Sequence, residues 1–157
     1  MIVLGIDPAL IHTGWGVVEY KNGVLTYIAS GAFKTEANMP IELRLKNIYL
    51  TIDKIIKQYN PDYFSIEETF VNTNPLTSLK LYEARGAAIL AAAINNLQVF
   101  EYKPNLIKKT VVGVGKATKD QVMMMVKCLL PKVNLKSEDE GDALAIAICH
   151  VNNFRVY

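Results

Sequence analysis

The chain contains no run of eighteen apolar residues, and its opening stretch MIVLGIDPAL lacks a basic leader and sets Asp7 inside the apolar run. A membrane-spanning helix and a secretory signal are both unexpected, so a soluble, cytoplasmic protein is predicted. Cysteine is scarce: Cys128 and Cys149 are the only two, in apolar helical surroundings and without metal-ligand spacing. That argues against a disulfide framework or a zinc site and predicts reduced thiols packed in the core. A glycine-rich P-loop is missing, as is a Ser/His/acid signature, so neither that mode of nucleotide binding nor a protein nucleophile is favoured. Internal repeats, low-complexity tracts and linkers are also lacking. At 157 residues and 51% hydrophobic, one domain spanning 1–157 is expected.

Charge is unevenly placed. From Lys103 to Lys136 the chain carries eight lysines, no arginine and a single acid, Asp120, a local charge of +7 that leaves −5 on the remainder. Such a segment has the chemistry of a polyanion contact, since lysines near phosphates release condensed counterions and steer association.

The order of elements follows from hydrophobic periodicity and turn residues. Residues 1–6 form an apolar strand running into Asp7, Thr13–Tyr20 a second, and Asn22-Gly23 marks a tight hairpin into a third, Val24–Phe33. Helical spacing of Ile41, Leu45, Ile48, Ile52, Ile55 and Ile56 predicts a helix over Pro40–Tyr59, stopped by Asn60-Pro61. A short strand, Tyr63–Glu67, precedes a helix capped by Asn74, with Pro75 at its first position, that runs to about Asn95. Gln98–Tyr102 is a fifth strand. Short helical segments around a Gly113/Gly115 loop, then a helix opening at Ser137, complete the chain. The fold class is α/β: a mixed five-stranded sheet flanked by helices, with the first, fourth and fifth strands parallel.

In such sheets chemistry gathers beyond the carboxyl ends of the parallel strands. Asp7 closes the first strand and Glu67 the fourth, although strand alternation alone leaves open whether Glu67 or Glu68 faces the site. In Ser137-Glu-Asp-Glu-Gly-Asp142, Ser137 and Glu140 have capping-box spacing, which gives Glu140 a structural task. Asp139 and Asp142, three apart, share a helix face otherwise made of Ala143, Ile146 and His150. Carboxylates on an apolar face call for a hard cation, so Asp7, a strand-end glutamate, Asp139 and Asp142 are candidate ligands for Mg²⁺ or Mn²⁺. Two such ions, typically about 3.5–4 Å apart, suit phosphodiester hydrolysis.

Several runs resemble the RuvC-type Holliday junction resolvases: Gly5-Ile6-Asp7-Pro8 with Thr13-Gly14-Trp15-Gly16, Ile66-Glu67, Leu79-Lys80-Leu81 with Ala84-Arg85-Gly86, Lys108 to Gly113, and Asp139 to His150. The resemblance spans the chain in order. It implies a ribonuclease H-like fold, a homodimer, a requirement for Mg²⁺ or Mn²⁺, paired symmetric nicks in four-way junction DNA, and RuvA and RuvB as partners; with the two-ion chemistry above, two Mg²⁺ per site are expected, with Mn²⁺ as substitute. It assigns catalysis and metal binding to Asp7, Glu67, Asp139 and Asp142, and so selects Glu67 over Glu68. It adds catalytic lysines at Lys108 and Lys119 and a base-stacking aromatic at Phe70, a residue that periodicity alone would place in the core. Lys109 and Lys116 of the basic segment join Phe70, Lys108 and Lys119 as expected DNA contacts.

The chain departs from the family pattern at Ala9, where glycine is common, and at Glu140 and Gly141, where small residues are frequent. His150 is expected to pack, His12 to be solvated, Met123, Met124 and Met125 to fill helix contacts, Gly86 to permit a close helix approach and Arg85 to serve structure. Two alternatives stand beside the resolvase: a related nuclease that processes ribosomal RNA, and an actin-like phosphate-binding module suggested by Gly-Ile-Asp and the glycine-containing hairpin.

Overall fold

Asn22 and Gly23 both take positive φ, 53° and 80°, the combination a type I′ hairpin turn requires, and they join β2 (His12–Lys21) to β3 (Val24–Lys34). The computed structural model describes residues 1–69 and 75–154. Strand β1 (Ile2–Asp7) pairs antiparallel with β2 and parallel with β4 (Tyr63–Glu67), which pairs parallel with β5 (Val99–Tyr102). The sheet order is β3-β2-β1-β4-β5, so the mixed five-stranded sheet and its parallel centre are as the sequence predicts. Helix α1 (Ile41–Tyr59) begins after Pro40 and ends on Asn60 in the left-handed conformation. The remaining helices are α2 (Pro75–Ile94), α3 (Pro104–Val112), α4 (Lys119–Leu129) and α5 (Glu138–Asn153). The predicted Asn74 cap lies outside the described residues.

Strand alternation divides the core in two. Leu4, Ile6, Val17, Phe64 and Ile66 pack with α1 and α2 on one face, while Val3, Val18 and Tyr63 pack with α3, α4 and α5 on the other. Along β1, positions 3, 5 and 7 therefore share the α5 face, and along β4 so do 63, 65 and 67. Parallel pairing sets Gly5 beside Ser65 and Ile6 beside Ile66, which brings Asp7 level with Glu67. The sheet thus points Glu67, rather than Glu68, toward the α5 side.

Helix α5 lies on the sheet with almost nothing between the backbones. A Cβ added at Gly5 would stand 2.1 Å from the Ala143 carbonyl oxygen, one at Gly14 2.0 Å from that of Asp139, and one at Gly16 2.7 Å from the Leu144 side chain. On the outer side of α5, a Cβ at Gly141 would meet the Met123 sulfur at 2.1 Å. Glycine at these positions serves close approach rather than turn geometry.

Four packing expectations need correction. Cys128 is exposed on α4, whereas Cys149 is buried. Met124 is 62% exposed because the helix turns it away while Met123 and Met125 pack inward. Gly86 faces open space within the chain rather than a neighbouring helix. The capping box at Ser137 is only half formed: the Glu140 amide donates to Ser137 Oγ at 3.3 Å, but the buried Glu140 carboxylate instead accepts from Ser30 Oγ of β3 at 2.9 Å. His150 and Arg85 are buried and His12 exposed, as expected.

Because the α5 seam has no room for a methyl group, Gly5→Ala should lower stability by about 1–3 kcal/mol, read as a reduced urea midpoint at an unchanged slope. An unchanged midpoint would show that the helix can move away without cost.

Candidate active site

The seam sets the first turn of α5 beside the carboxyl ends of β1 and β4. Asp7, Glu67 and Asp142 line one cleft of about 280 Å³ together with Lys108 of α3 and Lys119 of α4. Five residues predicted for the site are therefore brought together. Asp139 lines an adjoining cleft, beyond the loop that follows Asp7. It remains close enough for its charge to act on both Asp7 and Asp142.

The electrostatics are those of a crowded acid cluster. Burial, then the carboxylates of Asp142, Glu67 and Asp139, push the Asp7 pKa up to about 7. Burial followed by Asp142 raises Glu67, with Lys108, Lys119 and Arg85 opposing. Asp142 is raised by burial first, against the lowering effect of Lys119. Lys119 in turn is raised chiefly by Asp142; its Nζ stands 3.6 Å from the Asp142 carboxylate and 3.7 Å from that of Glu138. Lys119 starts α4 just after Thr118, whose side chain forms a complete capping box with Gln121. Its backbone is thus fixed at a helix start, from which the largely exposed side chain reaches Asp142 and Glu138.

Oxygen donors alone, on a site whose most buried acid resists ionisation, fit a hard divalent cation such as Mg²⁺. Among the described residues no three His, Cys, Asp or Glu side chains stand close enough to clasp one ion as they are. Holding a metal therefore requires rotation of carboxylates whose backbone positions are already set. Asp7, Glu67, Asp139 and Asp142 are the groups in reach.

Arg85 has the structural role expected of it and pairs with an acid, and it does so at the edge of the site. Its buried guanidinium donates to the Glu67 carbonyl oxygen and pairs with Glu101 of β5, locking the end of β4 that carries Glu67. Only a planar, forked cation reaches two such acceptors, a requirement that spacing along one helix does not reveal. Glu140, by bonding to Ser30, is turned away from the acids and adds no charge to the cleft. His150 sits remote from them, its Nδ1 2.9 Å from the Tyr102 hydroxyl, and burial lowers its pKa to about 4. The glycines around Asp7 are covered by α5, which removes the open backbone that an actin-like phosphate site needs. Phe70 lies outside the described residues. No helix among the described residues is long and apolar enough to cross a membrane.

Three comparisons bear on this geometry. The sequence model of the family described as "Crossover junction endodeoxyribonuclease RuvC" matches residues 3–150. A protein of that description from Rickettsia felis is 52% identical over 153 residues, which cover 96% of this chain and 98% of its own length. Another, from Rhizobium johnstonii, is 45% identical over 151 residues, covering 96% and 89%. Among solved structures, T. thermophilus RuvC in complex with a Holliday junction substrate superposes with a TM-score of 0.90 at 30% identity, over 96% of this chain and 93% of the other.

A carboxyl whose pKa rises from 3.8 to about 7 on folding costs nothing below the unfolded value, destabilises the folded state progressively as pH rises from about 4 to 7, and holds that full penalty above 7. In EDTA at pH 8, Asp7→Asn should therefore melt about 2 °C or more above the parent, a gap that shrinks as the pH falls toward 4. A variant that melts lower than the parent at pH 8 would contradict the assignment of strain to this carboxylate.

Proposed function

The chain belongs to the RuvC family of crossover junction endodeoxyribonucleases, and from that premise we propose a residue-level account of how it cuts four-way DNA junctions. One observation carries the reading: two parallel strand ends, one helix start and two lysine-bearing helices converge on a single cleft.

In this account Asp7, Glu67, Asp139 and Asp142 hold Mg²⁺, two ions per site, with Mn²⁺ an able substitute. Bound there, the ions would supply Lewis-acid activation of water and neutralise charge on the leaving oxygen. Hydrolysis then joins the water oxygen to phosphorus as the P–O bond to the leaving oxygen breaks, and the proton the water gives up balances the one the leaving alkoxide takes. Lys119, held over Asp142, and Lys108, across the cleft, offset charge that grows on the phosphate. Exposed Lys109 and Lys116 hold the backbone on either side, as Phe70 holds an unpaired base.

One acid cluster per chain and two cuts per junction call for a homodimer. An apolar stripe on α2 supports it: Leu79, Leu90 and Ile94 are each more than half exposed, with Tyr82 beside them. Residues 1–157 then act as one nuclease domain in the cytoplasm. Family resemblance is what supports RuvA and RuvB as partners there.

Single-turnover cleavage of a synthetic four-way junction, at saturating protein, tests these roles because saturation removes the binding term. Asp7→Asn, Glu67→Gln, Asp139→Asn and Asp142→Asn should each abolish paired nicking while junction affinity stays near that of the parent. Lys108→Met and Lys119→Met should slow cutting, and Lys132→Met should act only through salt-dependent binding. Affinity lost in step with cleavage would sink the acid assignments, and equal rates for the three lysine variants would sink the catalytic lysines.

A further inference from the structure

The acids stand between two clefts of opposite character. One holds Lys108 and Lys119 beside Asp7, Glu67 and Asp142. The other, of about 490 Å³, lies beyond the β1–β2 loop; Asp139 forms part of its wall and Ile11, His12, Lys80 and Leu81 line it. Asp139 alone of the four acids lines this second cleft, and its charge acts on Asp7 and Asp142, so a strand whose phosphate rests on the acids can continue into it.

The second cleft is built rather than incidental. Ile11 is 52% exposed and His12 is exposed, at the end of a short loop where polar residues would be the ordinary choice. Their backbone is nonetheless fixed from beneath. The buried Arg44 donates to the Leu10 carbonyl oxygen at 3.0 Å and to Thr35 Oγ1 at 2.9 Å, and the Thr35 amide donates to the Ile11 carbonyl oxygen at 3.0 Å. Thr13 Oγ1 closes the loop on the Ala9 carbonyl oxygen at 2.8 Å. An apolar side chain and an imidazole are thus presented on a hydrogen-bonded backbone, in a cleft that Lys80 and Leu81 also line.

Apolar walls, a flat polar ring and an exposed lysine, with Arg44 buried beneath, match a nucleotide: the base against Ile11 and Leu81, its edge toward His12, its phosphate toward Lys80. The lysine-lined cleft also has apolar walls, from Pro104, Ile107, Val122 and Ala145, but its mouth is occupied by the acids and lysines that take the phosphate. We propose that the Ile11–His12–Leu81 cleft receives the base of a nucleotide next to the cleaved phosphate, and that this contact gives the enzyme a preference for the bases at which it cuts. The proposal rests on the junction-cutting reading above and deepens it: the acids choose the phosphate, and this cleft weighs the base beside it.

The test uses a panel of four-way junctions, identical except that each of the four bases is placed in turn at every position flanking the nick. Single-turnover rates are compared for the full-length parent, Ile11→Ala and His12→Ala. Both side chains are exposed, so folding is not at stake, and melting curves confirm it. The parent should cut faster with particular bases at one flanking position, and both variants should flatten that ratio by about tenfold while preferences at the other positions persist. Ratios equal to the parent's at every position in both variants, with the parent cutting, would overturn the base-reading cleft alone. A parent that cuts no junction would overturn both the cleft and the reading on which it rests.

Discussion

Everything at the site depends on how closely α5 can approach the sheet. Gly5, Gly14 and Gly16 leave no Cβ between the helix backbone and strands β1 and β2, and Gly141 does the same toward Met123 of α4. A helix at ordinary packing distance would carry Asp139 and Asp142 away from Asp7. With the methyl groups gone, acids from three chain segments share one electrostatic neighbourhood, strong enough to hold the Asp7 pKa near 7. The fold gathers like charges, and that arrangement opposes folding at neutral pH unless a cation binds.

The surrounding contacts limit what that gathering costs. Lys119 leans on Asp142 and Glu138, while Arg85 anchors the Glu67 backbone and leaves its carboxylate to the cleft. Glu140 would add a further negative charge, but Ser30 holds it on the far side. The cations nearest the acids therefore moderate their repulsion, and in the proposed reaction the same side chains would meet the DNA phosphate.

Much of this was legible in the chain. Asp7 ends an apolar strand, and an amphipathic pattern cannot place Asp139 and Asp142 on the inner side of a helix without some purpose, so three acids were readable, whereas Glu67 was separated from Glu68 only by family resemblance and then by the strand register. The lysine segment was readable too. The reason for the glycines was not legible, because a glycine in a strand reads equally as bulge, phosphate approach or helix seat until the helix is in place. Glu140 misled because capping-box spacing is a local signal, and a hydroxyl 110 positions away in sequence, on Ser30, took its carboxylate. Cys128 and Met124 misled for a related reason: α4 packs only one face, and composition does not say which. Arg85 needed two partners from two strands, a pairing visible only in three dimensions.

Crystals grown with Mn²⁺ and measured for anomalous scattering show whether the acids that α5 brings beside β1 and β4 rotate to hold metal together. Manganese peaks are expected bounded by Asp7 and by carboxylates from Glu67, Asp139 and Asp142, with α5 unmoved on its glycines. Peaks elsewhere, or none among these four residues in protein that cuts junctions in the same buffer, would contradict that shared role.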